Sequence, residues 1–461
     1  MLPYNCSVRI LISAGEASGE MYGAQLIEAL RRAAEHCPAG RTNASAPTQG
    51  LQPEFFGAGG EQMRSAGCEI IVDAKDLAVV GITEILSRLP KILELYRKLI
   101  RAAHEKRPAL AVVIDAPAFN WRVARQMHKR GVPVVYYVCP QFWAWRQGRV
   151  KLLRKYVDKA LVIFPFEEKF YRDRGVDATF VGHPLADLPA PAITREAYAA
   201  AHHLDPAKLW ITIMPGSRRK EVRMNLPTIL KAADRLERFH AWRKPPAAVP
   251  QGLKPASLAA LNGTAEAVPY PNTVCANGEQ APAEDSPSSG YEFLLPVART
   301  LEASFLKELI LTPETRQAAS LQRDIHLVPD ALPALFHSRA GIVASGTATV
   351  EAALMGTPFV MVYRVSPLTY ALGKPRVKVP LFAMVNLIAG EEIVPELVQH
   401  KFTVANIVEE LGKIIPDGPA REKMQRGLAS VSEKLRQPEG DQHPADRAAE
   451  IILEMLHTEH S

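Results

Sequence analysis

The chain of 461 residues lacks any apolar run close to the roughly 18 residues that a helix needs to cross a bilayer. No basic segment precedes the mainly apolar residues 8–12, which run directly into Gly15 and Glu16. A secretory signal peptide needs such a basic segment. We therefore expect no transmembrane helix, and we predict that the first apolar segment is a β-strand.

Cysteine is scarce, and its spacing suggests neither a disulfide framework nor a metal site. The five cysteines are an odd number without paired metal-ligand spacing: Cys6, Cys37, Cys68, Cys139 and Cys275. This pattern indicates a reducing compartment.

Two common phosphate-binding fingerprints are also missing. After a strand predicted at residues 8–13, the turn at residues 14–20 contains Gly15, Ser18 and Gly19 and leads into an amphipathic helix. A strand, a glycine-containing turn and a helix open a Rossmann-like unit. The glycine spacing fits neither GxGxxG nor the Walker loop. The sequence therefore does not favour an enzyme that uses a nicotinamide cofactor or ATP.

The formal net charge of +6 suggests an anionic partner. Nucleic acid is not indicated, because the sequence has no zinc finger, no RNP-like aromatic signature and no long basic arm. An anionic membrane surface and phosphorylated substrates remain as partners. A mild excess of cations could equally serve solubility alone.

Length and composition indicate two α/β domains with an insertion. The hydrophobic fraction of 47% and the charged fraction of 23% are those of a soluble globular protein. We predict an N-terminal Rossmann-like domain over residues 1–187 and a C-terminal one over residues 188–440. A last helix, within 441–461, is predicted to cross back to the first domain. Residues 241–290 have too little apolar periodicity for a core and are predicted to be a disordered insertion.

Asp115 follows a fully apolar strand predicted at residues 110–114. A carboxylate at the end of a buried strand opens into the crevice of a parallel sheet, where burial raises its proton affinity. Asp115 is therefore a candidate general base. The alternative is an N-cap for the helix that follows.

A second candidate site follows the strand predicted at residues 209–214. Gly216 and Ser217 form a small turn, and three cations, Arg218, Arg219 and Lys220, come next at a helix N-terminus. Backbone amides, helix dipole and side-chain charge together favour a diphosphate. In the alternative interpretation these cations form a solvated basic face, to which Arg219 and Lys220 could belong.

A third candidate site lies where the strand predicted at residues 340–344 meets a helix. Ser345, Gly346 and Thr347 offer amides and hydroxyls to a phosphate, and Glu351 can accept hydrogen bonds from ribose hydroxyls. The alternative is a helix capped by Ser or Thr with Glu351 simply exposed. Residues 384–390, which include Asn386, are predicted to be a loop that returns to the crevice.

The stretch at residues 77–100 combines many apolar residues with basic ones, as an interfacial membrane helix does. The alternative is a buried helical pair kinked at Pro90. The predicted lipid contacts are Val79, Val80, Ile82, Ile85, Leu86 and Leu89.

Three further side chains attract attention. Trp143 and Trp145 are expensive to expose, so we expect them to line a pocket or to pack between domains. His183 could act as a base or cap the end of a strand, and capping is the favoured interpretation.

The segments at residues 14–20, 114–120, 143–146, 215–218, 345–348 and 386–390 resemble, in order, the motifs of the lipid-A-disaccharide synthase family. The resemblance covers nearly the whole chain apart from the insertion. It implies a GT-B fold, in which two Rossmann-like domains face each other across a cleft. It also implies a peripheral enzyme of outer-membrane biogenesis at the cytoplasmic face of a Gram-negative inner membrane.

The activity that the resemblance implies is an inverting transfer. The sugar of UDP-2,3-diacylglucosamine is joined to the 6-hydroxyl of 2,3-diacylglucosamine 1-phosphate (lipid X), giving a β-1,6 disaccharide 1-phosphate and UDP. By motif position, Asp115 matches the proposed catalytic aspartate and Arg218 the essential arginine. The donor-binding set is Gly15, Glu16, Ser18, Gly216, Ser217, Ser345, Gly346, Thr347, Glu351 and Asn386.

Two departures from the family pattern are visible: Ala118 replaces an aspartate of many members, and Glu20 stands where aspartate is common. No Asp-x-Asp pair occurs, so we predict metal independence and no cofactor. The resemblance is compatible with a homodimer. The alternatives are another UDP-N-acetylglucosamine-using GT-B enzyme, such as a cell-wall transferase or a 2-epimerase, and a non-catalytic UDP-sugar-binding membrane protein.

Overall fold

The computed structural model describes residues 7–15, 17–36, 52–77, 82–186, 190–243, 290–298, 300–312, 324–374, 377, 379–436 and 442–458. The insertion predicted at residues 241–290 lies outside the described residues, except for 241–243 and 290. Glu16, Val79 and Val80 also lie outside them.

The first half of the chain forms a seven-stranded parallel sheet with strand order β3-β2-β1-β4-β5-β6-β7. Its strands are apolar because helices cover both faces of the sheet. They are β1 (Ser7–Ala14), β2 (Gln52–Gly59), β3 (Cys68–Asp73), β4 (Leu110–Ile114), β5 (Val134–Tyr137), β6 (Lys159–Val162) and β7 (Ala178–Phe180).

The helices of this half are α1 (Ala17–His36), α2 (Glu61–Ser65), α3 (Ala74–Leu77), α4 (Ile82–Lys106), α5 (Pro117–His128), α6 (Phe142–Trp145), α7 (Val150–Tyr156) and α8 (Pro165–Arg172), with a 3-10 turn at Gln147–Arg149. Helix α4 is one helix with Pro90 inside it, where a kinked pair of helices was the alternative. The side chains of Ile82, Ile85, Leu86 and Leu89 lie outside the description.

The second half forms a six-stranded parallel sheet with order β10-β9-β8-β11-β12-β13. Its strands are β8 (Leu209–Met214), β9 (Tyr291–Pro296), β10 (Ile325–Val328), β11 (Ala340–Ala344), β12 (Phe359–Tyr363) and β13 (Glu396–Val398). Its helices are α9 (Arg195–His202), α10 (Arg219–Arg243), α11 (Ala303–Ile310), α12 (Ala331–His337), α13 (Thr347–Leu354), α14 (Pro367–Gly373), α15 (Met384–Ala389), α16 (Val404–Ile414) and α17 (Pro419–Leu435), with a 3-10 turn at Gln399–Lys401.

The strand order of each sheet reverses beside its first strand. In the first sheet β1 lies between β2 and β4, and in the second sheet β8 lies between β9 and β11. Ligands of open α/β sheets bind outside the carboxyl ends of the strands at such a switch point. The ends of β1, β4, β8 and β11 carry the candidate residues around Gly15, Asp115, Gly216 and Ser345.

One glycine allows β1 and β2 to pair closely. Gly57, which pairs with Ile12, has φ of 157°, and a Cβ atom there would lie 1.8 Å from the carbonyl oxygen of Ile12. Only glycine fits at this position.

The C-terminal segment returns to the first half. Helix α18 (Pro444–Thr458) packs against α1, and the ion pair between Arg32 and Asp446 spans 2.7 Å. The amide of His183 donates to the carbonyl oxygen of Leu435 at 2.9 Å, which ties the end of the first half to α17. Within the described part of the chain, no helix is long and apolar enough to span a membrane.

Candidate active site

Asn120 joins the ends of β1 and β4 from within α5. Its side chain is fully buried, and Nδ2 donates to the carbonyl oxygens of Ser13, Ile114 and Asp115 at 2.9, 2.8 and 3.0 Å. Oδ1 accepts a bond from the Ser13 hydroxyl at 2.7 Å. Sequence reasoning gave Asn120 no role. The available signal was an asparagine inside a helix, where it is unfavourable unless its side chain has partners.

The backbone at Asp115 is held in an uncommon conformation. Asp115 and Ala116 have φ of 46° and 44°, in the left-handed region that non-glycine residues rarely adopt. The hydroxyl of Tyr136 donates to the carbonyl oxygen of Asp115 at 2.8 Å, beside the bond from Asn120. Such conformations persist only where the surroundings fix them, and they are frequent at functional sites.

The helix-cap alternative for Asp115 is wrong. Ala116, not Asp115, occupies the N-cap position of α5, and the side chain of Ala116 forms no capping hydrogen bond. Gly15 explains how the turn after β1 fits beside it, because a Cβ on Gly15 would lie 2.6 Å from that of Ala116. The two turns of the first sheet therefore touch at the place where Asp115 enters the crevice.

Tyr22 links this place to the second half of the chain. Burial raises the pKa of its phenol, and the charges of Glu351 and Asp115 raise it further. Asp115 belongs to the first sheet, whereas Glu351 lies on α13 of the second half. The charges of both carboxylates thus act on one hydroxyl, one from each half of the chain. Sequence reasoning gave Tyr22 no role either.

Glu351 is half-buried, so the alternative of a simply exposed side chain is wrong. Burial raises the pKa of its carboxyl group. A carboxylate withdrawn from water in this way seeks hydrogen-bond donors, which ribose hydroxyls can supply.

The helix that carries Glu351 begins without a side-chain cap. Gly346, not Ser or Thr, is the N-cap of α13, and its φ is 144°. The Ser345 hydroxyl donates to the carbonyl oxygen of Phe382 at 3.0 Å, so it fixes the neighbouring segment. Because Gly346 and Thr347 are exposed and the cap is missing, the first amides of α13 suit an anion.

Asn386 lies on helix α15 (Met384–Ala389), which packs against α13. Its side chain is fully buried; Nδ2 donates to Val394 O and to Glu396 Oε1, and Oδ1 accepts from the amides of Ile393 and Val394. Residues 384–389 form helix α15, which ends at Gly390 with φ of 86°, where a loop was predicted. With its hydrogen bonds satisfied inside the protein, Asn386 cannot contact a ligand directly in this structure.

The turn after β8 separates Arg218 from Arg219. The side chain of Arg218 is 64% exposed and contacts Glu221, with Nη1 3.1 Å from Oε1. Gly216, with φ of 127°, lies against the same glutamate, since a Cβ there would be 2.9 Å from the Cβ of Glu221. Arg219 instead covers the ring of Phe305, 4.9 Å from its centroid. The two cations therefore point to different surroundings, and Arg219 belongs to the outer face.

Glu20 and Ser18 lie in the first turns of α1. Glu20 accepts a bond from the amide of Gln62 at 2.8 Å and so anchors the start of α2. That contact gives this acidic position a structural role. Ser18 is half-buried at the start of α1.

The two tryptophans have different surroundings. Trp143 is buried and donates from Nε1 to Glu167 at 2.8 Å, whereas Trp145 is 47% exposed with Arg146 over its ring. Burial raises the pKa of Glu167 to about 8. Sequence reasoning missed Glu167.

His183 lies close by, with its ring 5.4 Å from that of Phe164. It is fully buried, and its Nδ1 accepts a bond from the amide of Leu185, which is a capping contact. Burial lowers the pKa of His183 to about 3, so it is neutral.

Comparison with known proteins decides the family. The model of a protein family described as "Lipid-A-disaccharide synthetase" matches residues 10–242 and 288–451 of this chain. The chain is 45% identical over 450 residues to the lipid-A-disaccharide synthase of Koribacter versatilis, covering 97% of this chain and 98% of that one. It is also 45% identical over 453 residues to that of Acidobacterium capsulatum, covering 97% and 96%. The chain belongs to the lipid-A-disaccharide synthase family.

Solved structures agree on the fold. A glycosyltransferase of kitacinnamycin has a TM-score of 0.56 at 14% identity, covering 98% of this chain and 99% of its own. The UDP-GlcNAc 2-epimerase of Neisseria meningitidis, bound to UDP-GlcNAc, has a TM-score of 0.54 at 11% identity, covering 98% and 100%. The predicted GT-B fold is therefore confirmed, and this lipid-A-disaccharide synthase family member is a glycosyltransferase of lipid A biosynthesis.

Proposed function

We propose that the enzyme transfers the sugar of UDP-2,3-diacylglucosamine to the 6-hydroxyl of 2,3-diacylglucosamine 1-phosphate. The observation that carries this proposal is the position of the two carboxylates: Asp115 follows β4 and Glu351 lies on the helix after β11, each beside the switch point of its own sheet. One carboxylate comes from the switch point of each sheet. A base for the acceptor and a ribose ligand for the donor are thus available in one cleft.

Asp115 acts as the general base. Its carboxylate removes the proton of the 6-hydroxyl while the resulting oxygen attacks C1 of the donor sugar from the side opposite UDP. The bond from C1 to the diphosphate oxygen breaks, and UDP leaves with the electron pair. Configuration at C1 is inverted, giving the β-1,6 disaccharide 1-phosphate.

The departing diphosphate needs positive charge, which the second half supplies. Arg218 contributes its guanidinium, and the amides of Gly346 and Thr347 contribute the open start of α13. Gly216 and Ser217 form the neighbouring turn, and Gly15 and Ser18 belong to the facing wall. Glu351 accepts hydrogen bonds from the ribose.

The chain carries Ala118 where many family members have aspartate. Only one carboxylate is required for the single proton that this reaction removes, so Asp115 suffices. Among the described residues no group of three or more His, Cys, Asp or Glu side chains could hold a metal ion. Metal independence stays a prediction of the sequence.

The substrates carry acyl chains, so the enzyme meets them at a membrane. We place it at the cytoplasmic face of the inner membrane as a peripheral protein. The six apolar residues predicted above as lipid contacts would hold the acyl chains: Val79, Val80, Ile82, Ile85, Leu86 and Leu89. The excess of positive charge in the chain favours an anionic surface. A homodimer is compatible with this arrangement.

A mass-resolved assay tests the proposal. Purified protein is incubated in detergent with both diacylated substrates and EDTA, beside Asp115→Asn and the control Asp173→Asn, whose carboxylate pairs with Lys169 at the surface. The wild type and the control should form a tetraacyl disaccharide phosphate, and Asp115→Asn should not. Turnover of UDP-N-acetylglucosamine alone would instead support the epimerase or cell-wall alternative.

A further inference from the structure

A basic groove lies between α4 and the turn after α5, in the first half of the chain. We define the groove by the residues that line it, around an open volume of about 350 Å³: Tyr96, Arg97, Ile100, Arg101, His104 and Arg130. Three guanidinium groups and an imidazole line it, and no carboxylate does.

Two other cations of α4 form ion pairs with carboxylates, whereas the arginines of α4 that line the groove do not. Lys91 pairs with Asp76 at 2.5 Å, and Lys106 pairs with Glu69 at 2.8 Å. Within the described parts of the chain, Arg97 and Arg101 form no ion pair, not even with Glu94 or Glu105 of α4. Like charges four residues apart weaken a helix, so this arrangement does not serve stability.

Arg130 adds a third charge from a different element. Its Nη1 donates to the carbonyl oxygen of Ile100 at 3.2 Å, which fixes the turn after α5 against the middle of α4. Burial raises the pKa of Tyr96, and the guanidiniums of Arg130, Arg122 and Arg125 oppose that rise. Arg97, Arg101 and Arg130 thus present three guanidinium groups to one groove, and guanidinium groups bind phosphate in a bidentate manner.

The surrounding sequence extends the positive charge. Residues 116–157, which contain α5 and α7, include no Asp or Glu. Their Lys and Arg residues are Arg122, Arg125, Lys129, Arg130, Arg146, Arg149, Lys151, Arg154 and Lys155. An acid-free segment of this length gives an approaching anion no local repulsion.

Apolar side chains accompany the cations. Leu93 is 39% exposed, and Tyr96 and Ile100 follow it at three and seven residues, on the same side of α4. A soluble polyanion gains nothing from exposed leucine, whereas a bilayer surface offers phosphates and acyl chains together. The combination of charge and apolar surface therefore favours lipid over nucleic acid.

We propose that the groove binds the phosphate headgroups of anionic phospholipids, with Leu93 at the acyl boundary. This extends the membrane association in the proposed function and names the lipid class. It does not depend on the sugar transfer, so the two can fail separately.

Co-sedimentation of the full chain with vesicles tests the groove. Vesicles of phosphatidylcholine are compared with vesicles that also contain phosphatidylglycerol, using wild type and the double variant Arg97→Gln/Arg101→Gln. The control is Arg238→Gln/Arg426→Gln, which removes two exposed arginines from α10 and α17. We expect preference for phosphatidylglycerol, and loss of about 10-fold or more in affinity only in the Arg97/Arg101 variant, because each basic residue near an anionic surface contributes to binding.

Several outcomes would overturn the proposal that the groove binds anionic phospholipids. These are equal binding to both vesicles, equal loss in the control variant, or an Arg97/Arg101 variant that binds like the wild type. Binding of RNA but not of vesicles would overturn it as well. Turnover in detergent separates the proposals: intact turnover without vesicle binding rejects the groove alone, and intact vesicle binding without turnover rejects the proposed reaction alone.

Discussion

The hydroxyl of Tyr136 donates a hydrogen bond to the carbonyl oxygen of Asp115 across 2.8 Å. Tyr136 belongs to β5, the strand next to the one that delivers Asp115, and it is almost completely buried. The candidate base is thus positioned through its own backbone by a neighbouring strand. Its left-handed φ of 46° is maintained by this bond and by Asn120.

Tyr136→Phe should therefore lower kcat more than it lowers stability. Loss of one buried hydrogen bond costs about 1 kcal/mol of unfolding free energy. A small displacement of Asp115 costs roughly 10- to 100-fold in kcat, because proton transfer depends on geometry. Tyr171→Phe is the control, since Tyr171 is also buried and donates to a carbonyl, that of Pro140. Urea unfolding and steady-state kinetics measure both effects. Equal kcat in the two variants would contradict the positioning role.

Asn120→Ala should destabilise the fold strongly. It removes the donor to three carbonyl oxygens and leaves the Ser13 hydroxyl without its acceptor. We expect a loss of about 2–4 kcal/mol in the free energy of unfolding, since buried polar groups lose their partners. The control is Asn406→Ala, because Asn406 is only half-buried and its Nδ2 donates to a single carbonyl oxygen, that of Lys401. A loss for Asn120→Ala no larger than for Asn406→Ala would show that the ends of β1 and β4 are held by other contacts.

Arg218→Ala and Arg219→Ala should differ sharply, although the residues are adjacent. Arg218 stands at the turn beside Glu221, whereas Arg219 packs on Phe305. Loss of a charge that stabilises a leaving group costs about 100- to 1,000-fold in kcat. We expect this effect for Arg218→Ala and near-normal kcat for Arg219→Ala. Comparable turnover by both variants would remove Arg218 from the mechanism.

Glu167 should make stability depend on pH. Burial raises its pKa from an ordinary 4.5 to about 8. The folded protein then holds the proton more tightly than the unfolded chain does, so the stabilisation is complete below pH 4.5 and is lost as pH rises through about 8. Glu167→Gln should flatten the profile of Tm against pH in that window.

Glu168→Gln is the matched control for Glu167, because Glu168 is the next residue of α8 and pairs with Arg172 at 2.8 Å. Thermal unfolding is followed at several pH values. A profile for Glu167→Gln that parallels the wild type between about pH 4.5 and 8 would mean that Glu167 is ionised in the folded protein.

Much of the fold could be predicted because the strands and turns of parallel α/β proteins have recognisable local sequence patterns. The apolar run at residues 110–114 became β4, and the strand-to-helix turns near Gly15, Gly216 and Ser345 appear where expected. These patterns depend on side chains a few residues apart. The motif order also predicted the family and the GT-B fold, which the comparisons confirm.

The roles of several side chains could not be predicted because their partners lie in other elements of the folded chain. Asn120 binds Ser13, which is 107 residues away. The side chain of Asn386 forms its hydrogen bonds with residues 393–396. Trp143 and Glu167 pair across the packed interior rather than along one element. In each case the residue type indicated polarity, but not whether the polar group faces a ligand or another part of the chain.

The sequence by itself determined where strands end and helices begin, and it placed charge, glycine and hydroxyl groups at those junctions. Tertiary structure alone decided the strand order that puts four junctions at two switch points. It also decided which polar groups are satisfied internally, as in Asn386, and which amides stay open, as at Gly346. The physical reason is that hydrogen-bond partners and burial depend on long-range packing, which local residue patterns do not encode.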